Sequence, residues 1–339
     1  MNLERLGRSN NVKVTVGVLV LIAVASGAYL AFGDEEPVEI SNAEELQQVR
    51  GDLDGHYVLV DDIDLSHIKN FTPIGGYDDG FTGTLDGNGY TISNLTIDRP
   101  DGANVGLFFG MDGTIENLIL RDVEVTGGEA VGGLAGVSTG TVTESRVTGE
   151  VNGNQRVGGL VGVAWAGEIR DSRSEAKVTG NLLVGGFVGQ NDGGNITRSS
   201  AVGSVSGGTG VGGLVGDNQQ VVDKSYAGGD VTGNTSGGLV GINENEIRNS
   251  YATANVTGIA GGLVGVNTGE VANSYWDINT TVQANSVAGT GLTTSEMTAS
   301  AARENIKGFD FEEMWRTTED DYPRLAWQSE TDDKLEVEK

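Results

Sequence analysis

The sequence predicts an all-β solenoid, a fold in which the chain winds into coils that lie one on another. A short glycine-rich core, such as Val-Gly-Gly-Leu at 131–134, recurs seven times at intervals of 24 to 27 residues. Its large apolar residue stands at Leu107, Leu134, Leu160, Phe187, Leu214, Leu239 and Leu263. The second half of each unit alternates with period two, as from Ser250 to Val256, which indicates a strand rather than a helix. Because such small side chains bury little surface alone, each coil needs its neighbours to complete a core.

The first segment, residues 1–33, predicts a cytoplasmic stub and one transmembrane anchor. Val14 to Phe32 is a run of 19 residues without a charge. A helix of that length, at ~1.5 Å per residue, nearly crosses the ~30 Å hydrocarbon core. Basic residues precede the run and acidic residues follow it, so the positive-inside rule leaves the rest of the chain outside. The alternative is a cleaved secretory signal, with Ala23-Val24-Ala25 as its cleavage site; both interpretations export the chain.

Residues 38–102 predict an N-terminal cap and the first β-coils. An open solenoid exposes unpaired strands at its ends, so we expect each end to be covered. Ser41 and Glu44 form a capping-box pattern that opens a short helix. Leu46 and Val49 place the apolar side of this helix over the first coil.

Residues 103–281 contain the repeats, about seven coils of about 26 residues each. Paired glycines fit tight corners, where a positive φ angle or a close approach of two backbones is required. Four asparagines lie four residues after the core Leu or Phe: Asn191, Asn218, Asn243 and Asn267. In a parallel coil they would lie above one another and form a ladder of amide hydrogen bonds. The alternative is that asparagine simply favours turns.

The units resemble the GLUG repeat family, named for this glycine-leucine-glycine core followed by an Ile or Val and a Ser-Tyr-Ala strand. The likeness is closest from Gly238 to Asn243 and in Ser250-Tyr251-Ala252, and it covers about residues 38 to 328. The sequence departs from the pattern at Arg146 and Arg173, where tyrosine is common. The resemblance implies a right-handed parallel β-helix on a bacterial or archaeal surface, often in adhesin-like proteins. Such repeats also accompany some immunoglobulin-cleaving metallopeptidases, and they do not themselves imply catalysis.

Residues 282–328 predict a C-terminal cap, and residues 329–339 predict a disordered acidic tail. Thr293 and Glu296 form a second capping box, which opens a helix reaching about Ile306. Four aromatic residues supply the bulk that the repeats lack: Phe309, Phe311, Trp315 and Trp327. We expect them to form a hydrophobic lid on the last coil, with a ligand pocket as the alternative.

The composition excludes several kinds of site. The chain has no cysteine and two histidines, which excludes disulfides, thiolate sites, cysteine nucleophiles and multi-histidine metal centres. With 48 acidic and 21 basic residues, a net charge of -27 repels nucleic acid. This acidic, lysine-poor balance suits a halophile-like protein that stays hydrated in high salt, and an ordinary acidic surface is the alternative.

Acidic clusters are the candidates for catalysis, because parallel β-helices host polysaccharide lyases and hydrolases. They stand at Asp61-Asp62-Ile63-Asp64 and at Asp78-Asp79. Glycoside cleavage needs two carboxylates at a suitable separation, and calcium needs several converging oxygens. We expect these clusters, like His56 and His67, to be solvated surface or turn residues. No His-Glu-x-x-His segment occurs, which excludes a zinc protease of that type. The sequence thus predicts no catalytic residue, metal or cofactor.

A column of tyrosines is the predicted binding site. Tyr226, Tyr251 and Tyr275 each follow an inward-facing serine, so alternation turns them outward. Stacked at ~4.8 Å, their rings would form a ladder on which sugar rings or protein partners rest. The alternative is mutual stacking or cover by the C-terminal segment. Six Asn-x-Ser/Thr sequons are acceptors for glycosylation in an exported chain: Asn70, Asn94, Asn195, Asn234, Asn255 and Asn279.

The predicted function is adhesion or envelope interaction by a surface protein that is membrane-anchored or secreted and not an enzyme. Its predicted partners are the membrane, through the N-terminal helix, and cell-surface glycans or proteins. Two alternatives remain on the same scaffold: a carbohydrate-active enzyme and a structural subunit of a larger surface assembly.

Overall fold

The structure, a computed structural model, describes residues 36–328. They form a parallel β-solenoid of about eight turns. Strands of successive coils pair in parallel, as in the registers Val161↔Val188 and Tyr226↔Tyr251, which confirms the predicted parallel solenoid. The predicted anchor at 1–33 and the predicted tail at 329–339 lie outside the described residues. Within residues 36–328, no helix has both the length and the apolar character that a membrane crossing requires.

The first face of the solenoid is a sheet of ten parallel strands. Most of these strands bury a central apolar residue between two more polar neighbours, as Ile196 lies between Asn195 and Thr197. The strands are Val38–Ile40, His56–Leu59, Thr84–Asp86, Thr114–Glu116, Thr141–Thr143, Glu168–Arg170, Asn195–Thr197, Val221–Asp223, Glu246–Arg248 and Glu270–Ala272. This face includes coils that the segment before the repeats contributes.

The second face is a sheet of seven parallel strands, and each strand follows one of the seven glycine-rich cores. Its inward-facing side chains pack against those of the first face and complete the core. The strands are Phe108–Met111, Ala135–Ser138, Val161–Ala164, Val188–Asn191, Val215–Asn218, Val240–Asn243 and Val264–Asn267.

The third face comprises eighteen strands, because each coil crosses it in up to three short segments. These segments carry the Ser-Tyr-Ala stretch, the Val-Thr-Gly stretch that follows it and the residues leading into the next core. The strands are Ile63–Asp64, Thr91–Ser93, Thr96–Val105, Ile119–Gly132, Arg146–Asn152, Gln155–Gly158, Arg173–Ser174, Lys177–Thr179, Leu182–Gly185, Ser200–Ala201, Val205–Ser206, Thr209–Gly212, Tyr226–Ala227, Val231–Gly237, Tyr251–Ala252, Val256–Gly261, Tyr275–Asp277 and Thr290–Leu292.

The corner between the first and third faces is built from a left-handed residue and a buried serine. The left-handed residues have φ angles between 47° and 51° and are Glu144, Asp171, Arg198, Lys224, Asn249 and Asn273. The serine that follows uses its hydroxyl twice, as Ser225 shows. Ser225 Oγ donates to the carbonyl of Asp223 at 2.8 Å and accepts the N–H of Ser199, one coil earlier, at 3.1 Å. A ladder of serines therefore satisfies backbone groups that the corner leaves unpaired.

The paired glycines allow the backbones of successive coils to approach closely. A Cβ on Gly186 would lie 2.2 Å from the carbonyl oxygen of Gly213, and a Cβ on Gly213 would lie 2.2 Å from that of Gly238. These glycines are not among the residues with positive φ angles. Of the two predicted reasons for glycine, close approach is therefore the one that applies here.

The N-terminal helix α1, Ala43–Gln48, begins one residue later than predicted. Asn42 is its cap, because Asn42 Oδ1 accepts the N–H groups of Glu44 and Glu45 at 3.0 Å each. Ser41 instead donates its own N–H to Glu45 Oε2 at 2.7 Å. The predicted Ser41–Glu44 capping box is therefore wrong by one position, because the asparagine reaches the free N–H groups first.

The N-terminal coils hold the bulkiest part of the core. A 3₁₀ turn, Val49–Gly51, follows α1, and Leu46 and Val49 are buried in the core as predicted. The rings of Phe81 and Phe108 lie 5.0 Å apart, and Phe71 is also fully buried. This end of the core is therefore filled by large side chains rather than by the small residues of the repeats.

The C-terminal helix predicted from Thr293 to Ile306 is interrupted. The structure has two short helices, α2, Thr294–Met297, and α3, Ala301–Asn305. The predicted Thr293–Glu296 capping box is present, and Glu296 Oε2 accepts the N–H of Thr293 at 2.8 Å. Ala299, with a φ angle of 51°, separates the two helices. Two antiparallel strands complete this region: Trp315–Arg316 and Arg324–Leu325.

Candidate functional site

Three tyrosines form a column on the third face of the C-terminal coils. Tyr251 is in register with Tyr226 on one side and with Tyr275 on the other. The rings of Tyr226 and Tyr251 are stacked, with 5.0 Å between centroids and 3° between planes. Each tyrosine follows a buried serine, so the strand alternation directs its ring away from the coil interior, as predicted.

The C-terminal cap covers this tyrosine column. Tyr226, Tyr251 and Tyr275 are only 7%, 2% and 6% exposed. Tyr251 Oη donates to the carbonyl of Pro323 at 2.6 Å, and Tyr275 Oη accepts the N–H of Lys307 at 2.9 Å. Burial holds the pKa of Tyr251 well above its usual range. The prediction of an exposed binding strip is therefore wrong, because the rings are occupied by one another and by the cap.

The aromatic residues of the cap pack on the tyrosine column rather than over the end of the last coil. The ring of Trp315 lies 4.5 Å from Phe309 and 5.7 Å from Tyr251. The predicted lid therefore exists, but along the side of the solenoid. Trp276 belongs to the solenoid core, and its Nε1 donates to the carbonyl of Gln283 at 3.1 Å.

The cap reaches back across several coils. Tyr322 Oη donates to Oδ2 of the fully buried Asp277 at 2.5 Å, and burial together with this bond raises the pKa of Tyr322. Trp327 Nε1 donates to the carbonyl of Arg198 at 2.8 Å, and Gln328 Nε2 donates to Ser200 Oγ at 3.1 Å. The sequence predicts roles for Tyr275 and Trp327 but none for the other residues of Tyr275-Trp276-Asp277 and Tyr322-Pro323-x-Leu325-x-Trp327. Their roles are to dock the cap.

The predicted asparagine ladder is present inside the C-terminal coils. Asn191 Nδ2 donates to Asn218 Oδ1 at 2.8 Å, Asn218 Nδ2 to Asn243 Oδ1 at 2.8 Å, and Asn243 Nδ2 to Asn267 Oδ1 at 2.7 Å. Each amide nitrogen of the last three also bonds a carbonyl two residues later, as Asn218 bonds Gln220 at 2.7 Å. The ladder therefore joins coils to one another and closes the turn within each coil.

An open groove lies on the third face, next to the covered tyrosine column. The positions that precede Tyr226 in register are Ser200, Arg173, Arg146 and Ile119. The groove has a volume of about 650 Å³, and its charged lining residues are Arg121, Asp122, Arg146, Glu150, Glu175 and Lys177. Glu175 pairs with both arginines of the column, with Arg173 Nε at 2.8 Å from its Oε1. Arg146 and Arg173, which stand where tyrosine is common, therefore lie at the boundary between the capped tyrosine column and the groove.

The acidic clusters lie on the surface of the N-terminal coils. Asp62 Oδ1 accepts the N–H of Thr91 at 2.8 Å, and Asp64 accepts hydrogen bonds from Ser66 and Asn94. The bonds from Asn94 and Ser66 lower the pKa of Asp64. Asp62 therefore links two successive coils, whereas Asp64 closes a local turn and also bonds the next coil. Both side chains are exposed, as predicted for surface or turn residues. Asp78 and Asp79 are exposed in a loop, His67 is exposed, and His56 Nδ1 lies 2.9 Å from Thr84 Oγ1.

The sequon asparagines differ in exposure. Five of them are exposed: Asn70, Asn195, Asn234, Asn255 and Asn279. Asn94 is half-buried with a φ angle of 58°, and its Nδ2 donates to Asp64 Oδ1 at 2.8 Å. Glycosylation stays a prediction, and Asn94 is its weakest acceptor because it is the half-buried one of the six.

The fold and its laterally docked cap define a capped parallel β-solenoid. The GLUG motif matches residues 153–179, 180–206 and 233–257. These three segments are GLUG motifs, as the resemblance of the repeats predicted.

Two relatives are similar to part of this chain. Halomucin of Haloquadratum walsbyi is 40% identical over 140 residues, which are 37% of this chain and 2% of halomucin. A protein of Evansella cellulosilytica, named as a Gly-rich membrane protein, is 38% identical over 120 residues, which are 32% of this chain and 14% of the relative. The chain therefore spans a small fraction of the length of each relative, and the second relative is named as a membrane protein.

Two solved structures share the fold. A Bacteroides ovatus protein named as an immunoglobulin A1 protease superposes with a TM-score of 0.59 at 20% identity, over 88% of this chain and 94% of that one. A structure named IgA1 protease superposes with a TM-score of 0.60 at 23% identity, over 73% of this chain and 21% of that one. At such low identity, the likeness shows the solenoid fold alone.

Proposed function

We propose that this chain is an exported surface solenoid that mediates adhesion or envelope interaction without catalysis. The names of its two relatives support a surface role, and the charge pattern of residues 1–33 supports export. Whether the protein is anchored or secreted depends on the cleavage of that segment. A blot of membrane and culture fractions, sized against a chain starting at Asp34, distinguishes the two forms.

The open groove is the observation that carries the binding part of the proposal. Its lining contains three basic and three acidic side chains, whereas the chain as a whole carries a net charge of -27. Hydrogen-bond donors and acceptors are therefore both present in the groove, together with the hydroxyls of Thr148 and Ser204. Such a lining suits the hydroxyl groups of a sugar chain, which both donate and accept hydrogen bonds. Surface glycans are accordingly the proposed ligands.

Binding to immobilised polysaccharides tests the groove. The double variant Arg121→Gln/Lys177→Gln removes two exposed cations from the groove and leaves the bridge between Glu175 and its arginines intact. We expect this double variant to bind at least fivefold more weakly than wild type to the polysaccharides that wild type binds. The matched control Lys69→Gln/Arg99→Gln removes two exposed cations elsewhere and should bind like wild type. Equal binding by both double variants would exclude the groove as the contact surface.

The same samples test the alternative of a carbohydrate-active enzyme. Polygalacturonate is incubated with the protein, with and without calcium, and new chain ends are counted. We expect none. Release of new ends, abolished by Asp62→Asn or Asp79→Asn, would replace the binding proposal by a catalytic one.

A further inference from the structure

Four polar side chains interrupt an apolar column on the second face, and we call them the polar square: Gln190, Asp192, Asp217 and Gln219. The outward positions of this face follow one another in register as Val137, Val163, Gln190, Asp217, Ile242 and Val266. Asp192 lies two residues after Gln190, and Gln219 lies two residues after Asp217. Four polar side chains from two adjacent coils, about 4.8 Å apart, therefore lie between Val163 and Ile242.

Three oxygen atoms of this square are buried without a hydrogen-bond partner among the described residues. They are Gln190 Oε1, Asp192 Oδ1 and Asp217 Oδ1. Asp217 is itself only 6% exposed. Its other oxygen, Oδ2, accepts both nearby amide groups, from Gln219 at 3.1 Å and from Gln190 at 3.4 Å. A buried carboxylate oxygen without a partner is costly, so neighbouring orphan oxygens indicate an absent electropositive ligand.

We propose that Gln190, Asp192 and Asp217 bind one calcium ion between the coils of Phe187 and Leu214. Calcium prefers carboxylate and amide oxygens and completes its shell with water. The two carboxylates supply two negative charges, which one divalent ion neutralises. Within residues 36–328, no three His, Asp or Glu side chains are grouped as a metal site. The third protein ligand here is an amide, so the site is of a different composition.

The surrounding charges favour a cation. Glu244 and Asp192 both carry a negative charge close enough to repel the carboxylate of Asp217. Burial raises the pKa of Asp192, and the guanidinium of Arg156 opposes this effect. The same environment would also favour a proton. The two are distinguished by thermal unfolding: calcium would stabilise the protein when calcium is added, whereas a proton would stabilise it when the pH is lowered.

The test is calcium binding by the purified full-length chain. The protein is stripped with a chelator at pH 7 and titrated with calcium at constant ionic strength, while heat release and the midpoint of thermal unfolding are recorded. We expect wild type to bind calcium and to unfold at a higher temperature when it is bound. Asp217→Asn, which keeps the shape of the side chain, should bind at least tenfold more weakly and lose the calcium-dependent shift.

Two further variants keep the test falsifiable. Asp101→Asn removes one exposed charge elsewhere and should respond to calcium like wild type, whereas Asp192→Asn should bind more weakly. In chelator, Asp217→Asn should be at least as stable as wild type, because the variant no longer buries a carboxylate. An equal calcium response in wild type and Asp217→Asn would overturn the proposal. So would a wild type stabilised only by acidification, since the site would then hold a proton.

Discussion

The asparagine ladder makes a quantitative prediction about its central member. Asn218 accepts one amide hydrogen bond from Asn191 and donates one to Asn243, and all three side chains are fully buried. Asn218→Ala leaves the Nδ2 of Asn191 without its acceptor and the Oδ1 of Asn243 without its donor. A buried group left unsatisfied costs about 1–3 kcal/mol. We therefore expect a loss of about 2–6 kcal/mol in the free energy of unfolding.

Asn191→Ala is the matched control because it stands at the end of the ladder. Its Oδ1 accepts no hydrogen bond, and the residue in register one coil earlier is already an alanine, Ala164. The substitution removes one donor from Asn218 Oδ1, which also accepts the N–H of Gln220 at 3.4 Å. We expect a loss of about 1 kcal/mol, similar to that of one ordinary hydrogen bond.

Urea unfolding of both variants, followed by circular dichroism, measures the difference. Solenoids do not always unfold in one step, so amide hydrogen exchange in the coils of Asn191 and Asn243 provides a local readout. Protection should fall in both coils for Asn218→Ala. Equal losses in the two variants, or a loss below 1 kcal/mol for Asn218→Ala, would refute the argument that the ladder acts as a continuous chain of bonds.

Three further predictions concern other parts of the fold. Gly186→Ala places a Cβ 2.2 Å from a carbonyl oxygen of the next coil and should lower the unfolding temperature strongly, whereas Gly51→Ala has nothing within 4 Å and should be neutral. Trp315→Ala should cost about 3–5 kcal/mol, as for other buried aromatic residues, and should expose the cap to limited proteolysis before the coils. The hydrogen bond from Asn94 helps to lower the pKa of Asp64. The stability that this bond adds to the folded state is therefore present at neutral pH and is lost as the pH falls through that lowered pKa. Asp64→Asn should therefore unfold earlier than wild type at pH 7 and together with it near pH 2; equal midpoints at pH 7 would contradict this assignment.

The repeat and its inward faces could be predicted because period-two alternation and fixed spacing are local properties of the chain. Ser250, Ala252, Ala254 and Val256 are all buried, as the alternation requires. The asparagine ladder followed from the same register. The serine ladder did not, because its hydrogen bonds depend on the left-handed corner residues, and Arg198 or Lys224 gives no sign of that conformation in sequence.

The placement of the cap could not be predicted, because it depends on contacts between residues far apart in the chain. Tyr251 is 72 residues from Pro323, and Trp327 is 129 residues from Arg198. Alternation shows that a tyrosine points outward, but it does not show whether solvent or another segment lies outside. The polar square of Gln190 and Asp217 was missed for a similar reason, since an outward polar residue is expected to be solvated.

The lateral cap also imposes an order of events during folding. It follows the coils in the chain and is hydrogen-bonded to residues from Arg198 to Tyr275, so these coils must exist before it can dock. Until the segment containing Pro323 has docked, the stacked rings stay open to chaperones and to neighbouring chains. The tyrosine column is therefore buried only in the last step of folding.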